Sequence, residues 1–216
     1  MLNINDFVTN EFNEFKNIVV VNEDFFESPF NVFKSSNEIG YITNWPYGKR
    51  TVEFPSTKKL QKKLVESIPF LYTGNNSDEF ELTGVSGSFL KTMNGCNGTW
   101  NHVDISSKEE HNHNMWAAVV YMHPFPYIDC GTCINGYINT QHDSNFYNID
   151  NYDTMIKDKN DTNRWFNHIV IGNSFNKYVL YTGSSFHTLK GHFGHNIFNC
   201  RNNNTYFIQY KNKNDN

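Results

Sequence analysis

His102 and Asp104 are the residues whose type and spacing point most directly to metal chemistry. They lie in the run Trp100-Asn101-His102-Val103-Asp104, and side chains two positions apart on an extended chain point to the same side. A second histidine from elsewhere would complete a 2-His-1-carboxylate triad, which holds Fe(II) and leaves coordination positions open. We expect His187 to be that third ligand, because it ends a predicted late strand that begins at Tyr178.

The His-x-Asp tripeptide alone is weak evidence for a metal site. Nine histidines and eleven aspartates among 216 residues give about half a match by chance. The order along the chain adds weight, because His102 and Asp104 come early, His187 comes late, and Arg201 opens the next predicted strand. Arginine is scarce in this chain, with Arg50 and Arg164 as its other occurrences. Structural histidines are the competing interpretation.

Cys130 and Cys133 form a Cys-x-x-Cys motif, which is typical of redox pairs and of half zinc sites. Pro124 and Pro126 precede the motif, a β-like run follows it, and the chain has no second motif of this kind. A redox motif would instead open a helix after a strand. Reduced thiols are therefore the expected state.

Composition limits the class of protein. The net charge is −4 and basic residues are scattered, so strong nucleic-acid binding is not expected. No run approaches the roughly 18 apolar residues of a membrane span. Because the first residues also lack the pattern of a secretory signal, we expect a cytoplasmic protein. The length predicts one domain over 1–216, with its core at about 17–210.

The elements that position the candidate ligands are mostly strands. Runs rich in β-branched and aromatic residues predict strands at 85–93, 116–122, 133–138, 168–171, 178–182 and 205–210. A strand and a short helix are predicted within 17–33. Leu60, Leu64 and Ile68 predict an amphipathic helix. This mainly β, α+β pattern is typical of an antiparallel barrel or jelly roll. The segments 41–51 and 147–163 are predicted to be loops that shape the pocket.

Several stretches resemble the 2-oxoglutarate and Fe(II)-dependent dioxygenases, particularly the prolyl-hydroxylase-like branch and related compact phage and bacterial proteins. After His102-Val103-Asp104 comes Ala117-Ala118-Val119-Val120-Tyr121-Met122-His123, which is similar to a family strand ending in Tyr-Leu-Asn. Asp129-Cys130-Gly131-Thr132 stands where the family has Gly-Gly-Thr, and 175–187 is similar to the stretch with the distal histidine. Arg201 follows that histidine by 14 positions, at the long end of the family's range.

The resemblance implies a double-stranded β-helix, a cupin-like jelly roll, with N-terminal helices packed on its major sheet. It implies a dioxygenase that uses Fe(II) and O2, hydroxylates a substrate and oxidatively decarboxylates 2-oxoglutarate to succinate. His102, Asp104 and His187 would bind the metal. Arg201 and Tyr121 would bind the cosubstrate, with Lys190 as the alternative cation. The family favours a peptidyl substrate, and a small molecule is the other class.

A cupin-like module that binds a metal without catalysis is the alternative function. Such a site would close its coordination shell with a fourth protein ligand, for example His123 or His192. A catalytic site instead needs an open coordination face and an inward-facing cation such as Arg201.

Overall fold

The computed structural model describes residues 19–45, 48–52, 54–55, 58–68, 80–96, 101–104, 114–138, 152–183 and 185–212. Within these ranges the elements are β1 (Val19–Asn22), α1 (Pro29–Glu38), β2 (Ile42–Trp45), β3 (Gly48–Arg50), β4 (Phe54–Pro55), α2 (Lys58–Glu66), β5 (Phe80–Thr92), β6 (Asn114–Tyr121), β7 (Thr132–Tyr137), α3 (Tyr152–Lys157), a 3-10 helix (Thr162–Arg164), β8 (Trp165–Ile171), β9 (Tyr178–Thr182), β10 (His187–Leu189) and β11 (Arg201–Asn212).

Two antiparallel sheets form the architecture. The large sheet has the strand order β1-β9-β6-β11-β5-β3-β2, and β4 pairs beside β3 on the edge of β5. The small sheet has the order β10-β7-β8. Neighbours in the large sheet are distant in the chain, since β11 lies between β5 and β6. Strands that cross between two facing sheets in this way are typical of jelly rolls.

The inner core lies between the two sheets. Alternate residues of β6 and β9, such as Val119 and Val179, meet Ile134 of β7 and Ile171 of β8 in one buried cluster. The strict alternation of strand side chains places this set on one face. The same face continues toward His187, whose ring centroid lies 4.7 Å from that of Tyr181.

The outer face of the large sheet carries a second core and both N-terminal helices. Leu64 and Ile68 are fully buried there, against Trp116 and Leu180. The four-residue spacing that predicts the amphipathic helix therefore identifies its buried face correctly. Pro29 opens α1, where its missing N–H costs no helical hydrogen bond.

The predicted strand positions agree with β5 to β9 and β11, but three sequence interpretations are wrong. The segment 41–51 is not all loop, because β2 and β3 lie within it and pair with each other. The segment 147–163 is not all loop, because α3 and the 3-10 helix lie within it. Met155 of α3 is buried against Trp165 and Phe186, and this tertiary contact stabilises a helix of only six residues. His187 does not end β9; it begins β10 in the other sheet. Among the described residues, no helix has the length and apolar content of a membrane-spanning segment.

Candidate active site

His102, Asp104 and His187 come together between the two sheets. One ligand-capable atom from each side chain lies within 4.8 Å of the others. The two imidazole rings are 4.2 Å apart between centroids and inclined by 49°. His187 Nε2 and Asp104 Oδ2 are 3.6 Å apart, which is too far for a hydrogen bond and leaves room for an ion to contact both.

Backbone hydrogen bonds fix the relative position of the three residues. The N–H of His187 donates to the carbonyl of His102 at 2.9 Å, and the N–H of His102 donates back at 3.2 Å. The N–H of Asp104 donates to the carbonyl of Gly183 at 3.0 Å. The His-x-Asp segment is thus paired with the chain on both sides of the β9–β10 turn, so the ligand positions do not depend on side-chain contacts alone.

Hydrogen bonding selects the histidine nitrogen that can bind a metal. His187 Nδ1 lies 2.9 Å from the carbonyl oxygen of Ser185, and because a carbonyl only accepts, Nδ1 carries the proton. Nε2 then presents its lone pair toward Asp104, the arrangement found for metal-binding histidines. Burial lowers the pKa of His187 to about 4, so its imidazole is neutral at physiological pH.

Asp104 is the negative group of the site. Burial raises the pKa of its carboxyl from 3.8 to about 6, although the positive charges of His102 and Arg50 act in the opposite direction. Its Oδ2 is buried and has no hydrogen-bond partner among the described residues. An orphaned carboxylate oxygen beside two imidazoles is costly unless a cation is present. The donor set and this orphaned oxygen therefore fit a divalent metal ion.

A cavity of about 300 Å³ opens from the three candidate ligands into the space between the sheets. Arg201 lines it, together with inward-facing side chains of β5, β6 and β11. The predicted metal ligands and the predicted cosubstrate cation thus border one cavity. Its size lies at the lower end of the range for small-molecule sites.

Arg201 is held rigidly in this cavity. It is only 3% exposed. Its Nε donates to the Cys130 carbonyl at 3.0 Å and its Nη2 to the Gly131 carbonyl at 3.1 Å. The side-chain oxygen of Asn203 accepts from Nη1 at 2.7 Å, in the amide orientation that satisfies both side chains. The same oxygen lies 3.1 Å from Nη2, so protein acceptors occupy both paired edges of the guanidinium and hold its positive charge at the cavity wall.

Gly131 supplies one of the carbonyls that hold Arg201, and only glycine fits at that position. A Cβ atom there would lie 1.8 Å from the carbonyl oxygen of Ile171 on β8. The sequence interpretation of this stretch as the counterpart of Gly-Gly-Thr is therefore compatible with the structure, since the glycine that remains is the sterically required one.

Tyr121 reaches the cavity indirectly. Its ring is fully buried, the Arg201 guanidinium carbon lies 5.6 Å from its centroid, and its hydroxyl donates to Thr132 Oγ1 at 2.8 Å. Thr132, and not Tyr121, is among the lining residues. Burial raises the pKa of Tyr121, opposed by the charge of Arg201, so the phenol stays protonated and can donate.

Sequence reasoning missed Arg50, Tyr181 and Thr132 as lining residues of the cavity. Arg50 lies on β3, within the segment 41–51 that was predicted to be a pocket-shaping loop, and its Nε donates to Ser88 Oγ at 3.2 Å. Two signals point to it in the sequence: the scarcity of arginine and its place in that segment. Tyr181 and Thr132 are strand residues whose inward direction depends on register, which the sequence alone does not provide.

The alternative ligands lie elsewhere. The Nδ1 of His123 accepts from the backbone N–H of Phe125 at 3.1 Å, and its ring contacts Phe33 and Phe193. No fourth histidine, cysteine or carboxylate joins the triad among the described residues. Lys190 is not among the described residues that line the cavity.

All four cysteines are free thiols. Trp100, the first residue of the run that contains His102 and Asp104, lies outside the described residues.

Comparison with known proteins identifies the fold. No family model and no curated sequence matches the chain. Solved structures do match. HygX from Streptomyces hygroscopicus, with nickel and 2-oxoglutarate bound, has a TM-score of 0.54 at 13% identity, over 91% of this chain and 83% of that one. The viral collagen prolyl hydroxylase of Paramecium bursaria Chlorella virus-1 has a TM-score of 0.51 at 9% identity, over 88% of each chain.

The non-haem α-ketoglutarate-dependent carbocyclase SnoK from nogalamycin biosynthesis has a TM-score of 0.52 at 8% identity, over 94% of this chain and 85% of that one. These neighbours are oxygenases of the superfamily that the sequence resembles. At such low identities they show the fold, so the predicted double-stranded β-helix with helices on its major sheet is confirmed.

Proposed function

We propose that this chain, which has the double-stranded β-helix of the 2-oxoglutarate-dependent oxygenases, is an Fe(II)-dependent enzyme that hydroxylates its substrate and decarboxylates 2-oxoglutarate to succinate. One observation supports this proposal above the others: His102, Asp104 and His187 border the same cavity as the buried guanidinium of Arg201. A metal triad and a fixed cation in one cavity are the two groups that a chelating dicarboxylate requires.

The triad would hold Fe(II), with Nε2 of His187 and the orphaned Oδ2 of Asp104 as donors. When bound, iron and 2-oxoglutarate supply the oxidising chemistry, since a facial triad leaves coordination positions open for cosubstrate and O2. The protein's own contribution is to hold the ligands in one place, which the backbone pairing of His102 with His187 does.

The cation of Arg201 would bind the distal carboxylate of 2-oxoglutarate. Thr132 would assist in binding this carboxylate. Its Oγ1 accepts a hydrogen bond from the Tyr121 hydroxyl, so its own hydroxyl hydrogen is directed to another acceptor. Lys190 is the weaker candidate, since Arg201 borders the cavity and Lys190 is not among the described residues that line it.

The anaerobic binding of Fe(II) and then 2-oxoglutarate to the metal-free protein tests this function. We expect a weak visible charge-transfer band when the cosubstrate chelates the iron, and loss of the band in His187→Ala. His195→Ala is the matched control, because this exposed histidine lies outside the triad. Tight iron binding without any band would favour the cupin-like, non-catalytic module.

The substrate class stays a proposal. The neighbours include a collagen prolyl hydroxylase and a carbocyclase from nogalamycin biosynthesis, so a peptidyl residue and a small molecule both fit the fold. Succinate production with a panel of both classes, measured against the uncoupled background, would separate them.

A further inference from the structure

Tyr181 is a buried tyrosine that borders the cavity. It lies on β9 and is only 2% exposed. Its hydroxyl makes no hydrogen bond with any residue in the described part of the chain. A buried hydroxyl without an acceptor is costly, so this one indicates a ligand in the cavity that accepts its hydrogen bond.

The Tyr181 side chain lies between the candidate metal ligands and Arg201. Its ring packs against His187, with 4.7 Å between the ring centroids. Burial raises the pKa of the Tyr181 phenol well above 10, the neighbouring Asp104 and Tyr121 raise it further, and Arg201 opposes them. The hydroxyl is therefore within electrostatic reach of both ends of the cavity, where a ligand that spans them would pass.

Arg201 has few hydrogen-bond donors left for a ligand. A guanidinium has five N–H groups. One donates to the Cys130 carbonyl, one to the Gly131 carbonyl, and one each from Nη1 and Nη2 point to the side-chain oxygen of Asn203. Arg201 thus offers a ligand its charge and one N–H. A carboxylate accepts several hydrogen bonds, so the other donors must come from other side chains.

Tyr121, the tyrosine that the family resemblance assigns to the cosubstrate, uses its hydrogen elsewhere. Its hydroxyl donates to Thr132 Oγ1 at 2.8 Å, and it is not among the described residues that line the cavity. Tyr181 and Thr132 do line it. The phenol that faces a ligand is therefore that of Tyr181, whereas Tyr121 orients the hydroxyl of Thr132.

We propose that the Tyr181 hydroxyl donates a hydrogen bond to the distal carboxylate of 2-oxoglutarate, the group whose charge Arg201 balances. This inference rests on the proposed function and deepens it, because it moves the phenol contact from Tyr121 to Tyr181. The chelating end of the cosubstrate would have the metal as its partner, so the distal carboxylate is the group that still needs donors.

Anaerobic titration of the Fe(II)-loaded protein with two 2-oxo acids tests this contact. 2-Oxoglutarate has the distal carboxylate, and 2-oxopentanoate has the same carbon chain without it. Both acids chelate through the same two groups, so the charge-transfer band reports both affinities. We expect Tyr181→Phe to weaken 2-oxoglutarate binding by about tenfold or more. The affinities for 2-oxopentanoate and for Fe(II) should stay unchanged.

Urea unfolding of the metal-free protein separates this role from a structural one. Because the Tyr181 hydroxyl makes no hydrogen bond within the described residues, Tyr181→Phe should leave the unfolding midpoint unchanged or raise it. Tyr178 is the matched control, since it lies on the same strand with its ring on the opposite face and its hydroxyl 2.7 Å from Ser67 Oγ. Tyr178→Phe should lower the midpoint and leave 2-oxoglutarate affinity unchanged.

Three outcomes would overturn the inference. Equal weakening of both 2-oxo acids in Tyr181→Phe would show that the hydroxyl acts away from the distal carboxylate. Unchanged 2-oxoglutarate affinity would show that there is no contact, and a tenfold loss in Tyr121→Phe instead would make Tyr121 the donor. A lowered unfolding midpoint in Tyr181→Phe would show that the hydroxyl has a partner in the protein.

Failure of the proposed function looks different from these outcomes. The wild-type protein with bound Fe(II) would then show no band with either 2-oxo acid, and the role of Tyr181 in binding 2-oxoglutarate would be refuted with it.

Discussion

Burial shifts the pKa values of two candidate ligands in opposite directions, and this has a cost for the metal-free protein. The pKa of Asp104 rises to about 6 and that of His187 falls to about 4. Both groups are thus held toward their neutral forms. Metal binding requires the ionised carboxylate, so metal affinity should fall as the pH drops through about 6.

The cost of the ionised Asp104 gives a stability prediction for Asp104→Asn. Because the folded pKa exceeds the ordinary 3.8, the folded state binds the proton more tightly, and the ionised group destabilises the metal-free protein above pH 6. We expect the variant to be more stable than wild type at pH 8, by at most about 3 kcal/mol. The difference should vanish as the pH falls from about 6 to about 4.

Urea unfolding of the metal-free proteins at pH 8 and pH 4 measures this difference. Asp129→Asn, a change at an exposed aspartate, is the matched control and should have little effect. An Asp104→Asn variant that is less stable than wild type at pH 8 would show that the carboxylate has a stabilising partner in the absence of metal.

Arg201 is expected to determine cosubstrate affinity and not metal affinity. Arg201→Lys keeps the charge but loses the hydrogen bonds that hold it at the cavity wall, so 2-oxoglutarate should bind about tenfold more weakly, with Fe(II) binding unchanged. The charge-transfer band, titrated with cosubstrate, provides the measurement. Lys190→Ala is the control. If only that variant loses affinity for 2-oxoglutarate, Lys190 is the anchor.

At the scale of elements, an asparagine connects three segments of the candidate metal centre. Asn135 on β7 donates from Nδ2 to Asn101 Oδ1, next to His102, and to Thr188 Oγ1 on β10 at 3.2 Å. Its own N–H donates to the Phe186 carbonyl at 2.8 Å. Asn135 therefore acts as a positioning residue, because it joins the two chain segments that contain the histidines.

Removal of the Asn135 side chain should lower both the stability of the protein and its affinity for the metal ion. Asn135→Ala leaves the Asn101 oxygen and the Thr188 hydroxyl without their partner, which should cost about 1–3 kcal/mol of stability. Metal affinity should fall by about 10- to 100-fold, as for other residues that orient metal ligands. Isothermal titration with Mn(II) measures the affinity.

Asn167→Ala is the control for the change at Asn135. Asn167 lies opposite Asn135 on β8 but is exposed, so its removal should affect neither stability nor affinity. Unchanged Mn(II) affinity in Asn135→Ala would contradict the positioning role.

At the scale of the whole molecule, the two faces of the large sheet have different roles, one in the stability of the fold and one in the candidate site. Its outer face packs against α1 and α2, and its inner face borders the cavity. A change on the outer face should therefore alter the free energy of unfolding without altering the site, as long as the sheet stays intact.

Leu64→Ala tests this separation. The Leu64 side chain on α2 is fully buried, so truncation should destabilise the protein by about 2–5 kcal/mol. The affinities for Fe(II) and 2-oxoglutarate should remain unchanged at a temperature where the variant is folded. Lys62→Ala, at a side chain that is 77% exposed, should change neither quantity. A loss of metal affinity in folded Leu64→Ala would show that the two faces are coupled.

The local properties of this protein follow from its amino-acid sequence. The His-x-Asp spacing places two donors on one side of an extended segment. The runs rich in β-branched and aromatic residues predict β6, β7 and β9, because such residues favour strands through their own shape. The spacing of Leu60, Leu64 and Ile68 likewise identified α2. Arg201 opens β11 as expected, although the β-rich run predicted a strand only over 205–210.

The contacts between segments that are distant in the chain depend on the tertiary structure. His187 could be assigned to β9 or to a separate strand until pairing with Ile134 and His102 placed it on β10. The helix α3 depends on the contacts of Met155, which composition does not show. Arg50 borders the cavity because β3 pairs with β5. Strand pairing joins residues far apart in the chain, so the directions of side chains across the cavity depend on a register that no local pattern contains.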